Sequence, residues 1–139
     1  MFGVKRTYLG IDLGTSAMKM VLTDAHKHIL GQITEEYQAI QQEGGICEID
    51  PEIWFRAMER GIGRILENQD KALVHGIGVT GQMHTLIVVG EDGSAVRPAI
   101  MWNDTRTKDL LPVLKEKIRG FQEGEYLSCL LYTSDAADD

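Results

Sequence analysis

Apolar and polar residues alternate along the N-terminal part of the chain, and this pattern predicts three short strands. Within Tyr8–Leu13 the leucine and isoleucine side chains share one face of a period-two pattern, which leaves Asp12 on the opposite face. Gly14 then permits a tight reversal into a second strand over Ala17–Leu22. A polar turn separates this strand from a third, over approximately Ile29–Tyr37. The sequence therefore predicts a hairpin followed by a third strand.

The pattern changes to a helical period after Asp50-Pro51, where a capping side chain precedes a proline suited to the first helical position. The apolar positions at helical spacing are Trp54, Met58, Gly61 and Ile65, with Ala57, Ile62 and Leu66 beside them. Charged residues fill the opposite face, as in a surface helix that covers a sheet. Trp54 is therefore assigned to the core, and the preceding Gln41–Gly45 segment to a loop.

The second half of the chain predicts another strand, a hairpin and a second helix. Val74–Thr80 is rich in glycine and β-branched residues, which is typical of a strand. Leu86–Val89 and Ala95–Ile100 flank the turn sequence Glu91–Ser94, as in a hairpin. A second helix is expected over about Thr107–Arg119. This order of elements predicts an α/β fold, with helices packed on a mixed sheet.

The composition is that of a globular domain with its own core, since 43% of the 139 residues are hydrophobic and 25% are charged. A formal charge of −7 argues against a nucleic-acid partner, because phosphate backbones attract basic patches. No stretch approaches the roughly 18 apolar residues of a membrane span. Without a secretory signal, Cys47 and Cys129 predict no structural disulfide. A cytoplasmic location without membrane contact is therefore expected.

Polar side chains gather at three strand ends or turns, namely Asp12–Ser16, Gln82–His84 and Trp102–Arg106. Ligands of open α/β sheets usually bind outside such strand ends. Aspartate is an oxygen ligand suited to Mg²⁺, and a glycine-rich turn lets backbone N–H groups approach phosphate oxygens. Lys19 adds a point charge to the first cluster. The turn alone fits equally well an ordinary hairpin whose Asp12 lies on a solvated face.

Residues of the second and third clusters each have two interpretations. His84 directly follows an apolar strand and could hydrogen-bond a polyol hydroxyl, or it could be an ordinary surface histidine. Trp102 offers a broad face to the apolar side of a sugar, or it fills the core. Asn103 and Asp104 offer donors and acceptors for hydroxyl groups, whereas Arg106 could pair with Asp104 and only hold the loop.

Taken together, these motifs resemble a known family. Tyr8–Ser16, followed by Lys19, resembles the first phosphate loop of the FGGY carbohydrate kinases, although actin-like and chaperone ATPases carry similar loops. Gly81–His84 and Arg97–Arg106 are more specific and resemble the members of the family that phosphorylate xylulose. Glu48–Trp54 is similar to the family segment that leads into its first helix.

The resemblance covers about residues 7–120 and implies the N-terminal part of a two-domain enzyme. Kinases of this family have two ribonuclease-H-like domains, the fold of actin-like ATPases, with ATP and Mg²⁺ in the cleft between them. The sugar lies deep in this cleft, mostly against the N-terminal domain. The members that this chain resembles most convert D-xylulose to D-xylulose 5-phosphate, so the same reaction is expected here.

The resemblance also implies roles for individual residues. Asp12 would position the metal and the transferred phosphoryl group. The residues implied to face the ATP phosphates are Gly14, Thr15, Ser16 and Lys19. The residues implied to bind the sugar are Met83, His84, Trp102, Asn103, Asp104 and Arg106.

The expected organisation is an N-terminal extension over residues 1–6, a kinase N-terminal domain over residues 7–124, and a tail over residues 125–139 that resembles translated adapter sequence. In the family the catalytic base is an aspartate at the start of the second domain, and no carboxylate of this chain matches it. We therefore expect the 139-residue chain to lack catalysis on its own. A homodimer is an expected possibility for the full-length protein.

Two alternatives stay open. The first is a family member that acts on gluconate or ribulose, since Met83-His84 argues mainly against glycerol and Trp102–Asp104 leans toward xylulose over gluconate. The second is a non-catalytic nucleotide-binding module of the actin or chaperone type. Such a module would explain the first turn but neither the His84 cluster nor the Trp102 cluster.

Overall fold

The computed structural model describes residues 6–110 together with residues 112, 113 and 116. In chain order the elements are β1 (Thr7–Leu13), β2 (Ala17–Asp24), β3 (Ile29–Glu36), β4 (Ile40–Gln42), β5 (Ile46–Ile49), α1 (Pro51–Ile65), β6 (Val74–Gly81) and β7 (Ala99–Ile100). Short 3-10 turns lie at Lys71–Leu73 and Lys108–Leu110. Strands and helix together confirm the predicted α/β class.

The larger sheet has four strands in the order β3-β2-β1-β6. β1, β2 and β3 form an antiparallel meander, and β6 pairs with β1 in parallel, so the sheet is mixed as predicted. The register pairs Leu9 with Leu22 and Ile11 with Met20, and all four side chains are buried. The alternation in β1 and β2 thus places their large apolar side chains on one face of the sheet.

Helix α1 covers this apolar face. Its N-terminus is capped as predicted, since an Asp50 carboxylate oxygen accepts a hydrogen bond of 3.0 Å from the Glu52 N–H. The residues of α1 that are buried are Trp54, Ala57, Gly61 and Ile65. Gly61 brings the helix close to the sheet, because a Cβ atom built there would lie 2.7 Å from the end of the Met20 side chain. The predicted helical stripe is therefore confirmed as the core-facing surface.

Two ion pairs between a buried carboxylate and exposed arginines also join the helix to the sheet. Glu35 on β3 is only 8% exposed, and its carboxylate accepts hydrogen bonds from Arg60 at 3.1 Å and Arg64 at 2.6 Å. Burial alone would raise the pKa of Glu35, but the hydrogen bonds from the two arginines outweigh it and lower that pKa below its usual value.

A second, three-stranded sheet has the order β4-β5-β7 and differs from the sequence prediction. Gln41 and Gln42 were assigned to a loop but lie in β4, so that part of the prediction was wrong. Strand β5 was not predicted either. Its pairing with β7 joins Glu48 to Ile100 and Ile49 to Ala99. Such short strands depend on partners far away in sequence, and four residues of local pattern do not identify them.

The predicted hairpin after β6 is present in reduced form. Single bridges join Leu86 to Ile100 and Val89 to Ala95, around a turn in which the Gly90 N–H donates to the Ser94 carbonyl at 2.8 Å. Of the predicted second helix, the 3-10 turn and helical residues 112, 113 and 116 are described, and the rest lies outside the described residues.

The described residues contain no helix that combines the length and the hydropathy needed to cross a bilayer. Cys129 and the predicted tail over residues 125–139 lie outside them. The sheet ends that carry the three polar clusters are all within the described part.

Candidate functional site

The first cluster lies where β1 turns into β2. Asp12 is exposed near the end of β1 and is paired in register with Lys19 on β2 and Thr80 on β6. All three side chains lie on the sheet face opposite α1. They line an open groove of about 540 Å³, whose other walls include Gly10 and Gly78. This groove therefore combines a carboxylate and an ammonium group on one open face of the sheet.

The turn after Asp12 depends on glycine. The Gly14 N–H donates to the Ala17 carbonyl at 3.0 Å, and a Cβ atom on Gly14 would lie 2.8 Å from that carbonyl oxygen. Tyr37 braces the turn from the far end of β3. Its hydroxyl donates to the Gly14 carbonyl at 2.7 Å, and its N–H donates to the Ser16 carbonyl at 2.9 Å. Burial, reinforced by the negative charge of Asp12, raises the pKa of Tyr37 to about 12.

The second cluster lies beside this turn because β6 runs parallel to β1. The Gln82 N–H donates to the Leu13 carbonyl at 2.9 Å, which continues the pairing of the two strands. The Thr15 hydroxyl donates to the Gln82 side-chain carbonyl at 3.3 Å. Met83 is 71% exposed, and the exposed His84 has a φ of 63°, in the left-handed region that few residues other than glycine adopt. The strand exit therefore presents both side chains away from the core.

The third cluster reaches the first through Trp102. Its indole N–H donates to the Thr15 hydroxyl at 3.0 Å, across 87 positions of sequence. Met101, immediately before it, is 2% exposed, and its N–H donates to the Cys47 carbonyl at 3.0 Å. The turn, the β6 exit and the third cluster are thus joined through the hydroxyl of Thr15.

Asp104 is held inside the protein. Its side chain is 3% exposed, and its carboxylate accepts from the Cys47 N–H at 2.8 Å, the Arg106 N–H at 3.1 Å and the Arg106 guanidinium at 2.5 to 3.0 Å. Arg106 also donates to Glu48 at 2.7 Å, and Arg97 donates to the same Glu48 oxygen. These bonds, led by the one from Arg106, hold the pKa of Asp104 far below its usual range. We refer to Glu48, Arg97, Asp104 and Arg106 as the carboxylate–arginine network.

Asn103 faces a second concavity. A pocket of about 340 Å³ lies between it and the turn, and its lining includes Thr15, Ser16 and Cys47. Among the described residues the Asn103 side-chain oxygen is buried and has no hydrogen-bond partner. Burial and the charge of Asp104 raise the pKa of the Cys47 thiol and outweigh a hydrogen bond with Asn103, which acts to lower that pKa. This cysteine is therefore not an activated nucleophile.

The structure places the expected site residues in three groups. Asp12 and Lys19 share the open groove, while Thr15, Ser16 and Asn103 share the smaller pocket. The other expected residues line neither of these two concavities, namely Gly14, Met83, His84, Trp102, Asp104 and Arg106.

The described residues contain no group of three or more metal-ligating side chains. Asp12 still fits Mg²⁺, because this ion in nucleotide sites is usually held by one or two carboxylates, substrate phosphates and water. In that arrangement Asp12 would supply the one protein oxygen, and the phosphates would complete the coordination.

Five residues of the site were not among the expected site residues: Tyr37, Cys47, Glu48, Gln82 and Arg97. Three of them had a signal in the sequence, since Glu48, Gln82 and Arg97 fall inside motifs that carry the family resemblance. Tyr37 and Cys47 had none, because their roles depend on contacts between strands that are distant in sequence.

Comparison with known proteins identifies relatives of the whole described region. The family described as "FGGY family of carbohydrate kinases, N-terminal domain" matches residues 7–134. A xylulose kinase of Staphylococcus epidermidis is 40% identical over 105 residues, which are 74% of this chain and 21% of the relative. The chain therefore spans about a fifth of the length of the curated relatives it matches.

Solved structures give the same fold. A gluconate kinase from Lactobacillus acidophilus superposes with a TM-score of 0.76 at 29% identity, over 82% of this chain and 23% of that one. The ligand-bound xylulose kinase from the same organism superposes with a TM-score of 0.75 at 29% identity, over 81% and 23%. The two similarities are nearly equal, so overall fold similarity does not distinguish xylulose from gluconate.

Proposed function

Because the chain belongs to the FGGY family of carbohydrate kinases, we propose that it supplies the N-terminal part of an ATP-dependent sugar kinase whose acceptor is the 5-hydroxyl of D-xylulose. The observation that carries this proposal is the 3.0 Å contact between the Trp102 indole and Thr15. This contact joins the β1–β2 turn, which is expected at the phosphates, to the sugar wall, by which we mean Trp102, Asn103, Asp104 and Arg106. Phosphoryl transfer requires that juxtaposition, since its catalysis is mainly positioning and charge neutralisation.

The nucleotide side is assigned to the β1–β2 turn. Asp12 would hold Mg²⁺, and the ion would supply positive charge against the negative charge that develops during transfer. Lys19, in register with Asp12 on the same face, would place a positive charge beside the phosphates. Gly14 permits the tight turn that brings the chain to the phosphates, and the exposed Ser16 would offer its hydroxyl to a phosphate oxygen.

The sugar side is assigned to the β6 exit and the third cluster. The exposed Met83 and His84 would contact the ligand directly, and Trp102 would pack its ring on the apolar side of the sugar. The Asn103 side-chain oxygen, which has no hydrogen-bond partner among the described residues, would accept from a sugar hydroxyl once a sugar fills the adjacent pocket. Asp104 and Arg106 would contribute by holding this wall in place, because their charged groups already bind each other.

Gluconate is the second candidate substrate, favoured by the similarity to a gluconate kinase structure. Its carboxylate would require a positive partner. Arg106 is the arginine nearest in sequence to the proposed contact residues, and its guanidinium is already neutralised by Asp104 and Glu48. A neutral sugar therefore fits this wall better than a sugar acid.

The first experiment measures sugar binding by the 139-residue chain. Trp54→Phe leaves Trp102 as the one tryptophan, and its fluorescence is followed during titration with D-xylulose, D-ribulose and D-gluconate. We expect a saturable change with D-xylulose at the lowest concentration. An equal or stronger response to D-gluconate would reject the xylulose assignment, and no response to any of the three would reject the sugar-kinase site.

Turnover is tested in a chimera, because the chain spans about a fifth of its relatives. Residues 7–120 replace the aligned segment of the Staphylococcus epidermidis xylulose kinase, and ADP formation is measured with each sugar. We expect D-xylulose-dependent ADP formation that Asp12→Asn lowers by more than about 100-fold, as the loss of a metal and phosphoryl contact should. The 139-residue chain alone is expected to form no ADP, and ADP formation by it would contradict this assignment.

A further inference from the structure

The hydroxyl of Thr15 is the point at which the three polar clusters meet, and its hydrogen bonds are inconsistent with a simple role at the phosphates. We propose that Thr15 is a positioning residue for the sugar wall, in which its side chain and that of Gln82 orient the Trp102 indole. This inference rests on the proposed function and changes the expected role of one residue within it. The backbone of Thr15 remains part of the phosphate-side turn.

The argument begins with the single proton of a threonine hydroxyl. Phosphate oxygens are acceptors, so a side chain that binds them must donate. Thr15 donates its proton to the Gln82 side-chain carbonyl at 3.3 Å and accepts from the Trp102 indole at 3.0 Å. In this arrangement the hydroxyl has no proton left for a phosphate. The adjacent Ser16 is exposed, and its hydroxyl takes part in none of the described hydrogen bonds.

Gln82 ties the Thr15 hydroxyl to the ends of β1 and β6. Its backbone N–H donates to the Leu13 carbonyl at 2.9 Å, so its position follows the paired ends of β1 and β6. Its side-chain amide nitrogen lies 4.0 Å from the Met101 sulfur, next to Trp102 in sequence. The amide therefore lies between the strand ends and the third cluster, where it can transmit the position of one to the other.

Trp102 is then restrained from two directions. Its backbone follows Met101, which is buried and bonded to Cys47, while its single indole N–H is bonded to Thr15. An indole has only that one donor, so the bond selects one rotation of the ring. A ring that stacks on a sugar must be held at a defined angle. Loss of this bond should therefore weaken sugar binding more than ATP binding.

The structural part is tested by NMR on the 139-residue chain with Trp54→Phe, where the remaining indole N–H signal belongs to Trp102. Thr15→Val keeps the shape of the side chain and removes the hydroxyl, while Thr15→Ser keeps the hydroxyl. We expect Thr15→Val to shift the indole N–H signal upfield and speed its exchange with solvent, and Thr15→Ser to leave both near the parent values. Thr107→Val, on an exposed loop residue, is the control. An indole signal that Thr15→Val leaves unchanged would overturn the inference.

The functional part uses the same variants in sugar titrations and in the chimera. Loss of a neutral hydrogen bond of about 1 kcal/mol corresponds to roughly fivefold in affinity. We expect Thr15→Val to raise the D-xylulose Kd and KM by about fivefold with the ATP KM within about twofold, and Thr15→Ser to restore the sugar values. A rise in the ATP KM with an unchanged sugar KM would assign Thr15 to the phosphates instead.

The two proposals fail differently. If the unsubstituted chain responds to D-xylulose and Thr15→Val binds it equally well, only the positioning role is wrong. If the unsubstituted chain responds to no sugar, the proposed function is wrong, and the positioning role fails with it even where the indole hydrogen bond is present.

Discussion

Replacing Asp104 by alanine should destabilise the domain, because this carboxylate is the centre of the carboxylate–arginine network. The side chain is 3% exposed and accepts from the Cys47 N–H, the Arg106 N–H and the Arg106 guanidinium. Its removal leaves the N–H of Cys47, a residue only 4% exposed, without its acceptor. Loop 101–106 would then lose one of its attachments to β5, while the bond from the Met101 N–H to the Cys47 carbonyl remains.

The magnitude follows from the partners that are lost and those that remain. An orphaned buried N–H costs about 1–3 kcal/mol, and a charged hydrogen bond contributes about 1.5–3 kcal/mol. The Arg106 side chain is 26% exposed and keeps its bond to Glu48, so it is not stranded. We therefore expect Asp104→Ala to lower the free energy of unfolding by about 2 kcal/mol, and Asp104→Asn to lower it less, since an amide oxygen can still accept.

The effect also has a predictable pH dependence. The pKa of Asp104 is lowered in the folded state, so the ionised group stabilises the fold above its usual pKa, and this contribution is lost as the pH falls through the lower, folded-state value. The difference between parent and Asp104→Ala should be constant from about pH 5 to 7 and shrink only below about pH 4.

Urea unfolding followed by circular dichroism measures the effect. Glu52→Ala is the matched control, because it removes a carboxylate from the exposed pair with Arg56 and should change the free energy of unfolding by less than about 0.5 kcal/mol. If Asp104→Ala costs no more than Glu52→Ala, or if its effect disappears between pH 5 and 7, the network does not hold the loop as argued.

Three further predictions concern the rest of the domain. Gly63→Ala on α1 should raise the free energy of unfolding by up to about 1 kcal/mol, because a Cβ atom at this position meets nothing within 4 Å. In the same urea assay the free energy of unfolding of Gly61→Ala should be at least about 1 kcal/mol below that of Gly63→Ala, because its Cβ atom meets a buried methionine at 2.7 Å. Tyr37→Phe should cost about 1 kcal/mol through loss of the bond to Gly14, and tyrosinate absorbance should show one group that ionises near pH 12 and is absent from the variant. Because the pKa of Tyr37 is raised, its stabilisation is complete below about pH 10 and is lost as the pH rises toward 12; an early titration of all tyrosines would contradict this. Glu35→Gln should destabilise the fold at pH 7 by about 1–2 kcal/mol and converge with the parent at acidic pH, since its pKa is lowered; a constant difference down to pH 3 would contradict the ion pair.

Local chemistry explains why much of the fold was predictable from the sequence. The alternation over β1 and β2, the Asp50 cap and the stripe around Trp54 are short-range signals, and each matches the structure. The motifs at Tyr8–Ser16, Gly81–His84 and Arg97–Arg106 likewise indicated the family, which the match over residues 7–134 confirms. Patterns with a period of two or 3.6 residues need no distant partner to be recognised.

What the tertiary structure decided is which of these groups touch. Thr15 and Trp102 are 87 positions apart, and only the parallel pairing of β1 with β6 and the second sheet bring them within 3.0 Å. The same packing buries Asp104 against Cys47. The amino-acid sequence by itself determined the chemical groups and the elements with a long local pattern, but not the short strands β4 and β5. Their hydrogen-bond partners depended on long-range strand pairing, because a short polar side chain binds whatever donor or acceptor the fold places beside it.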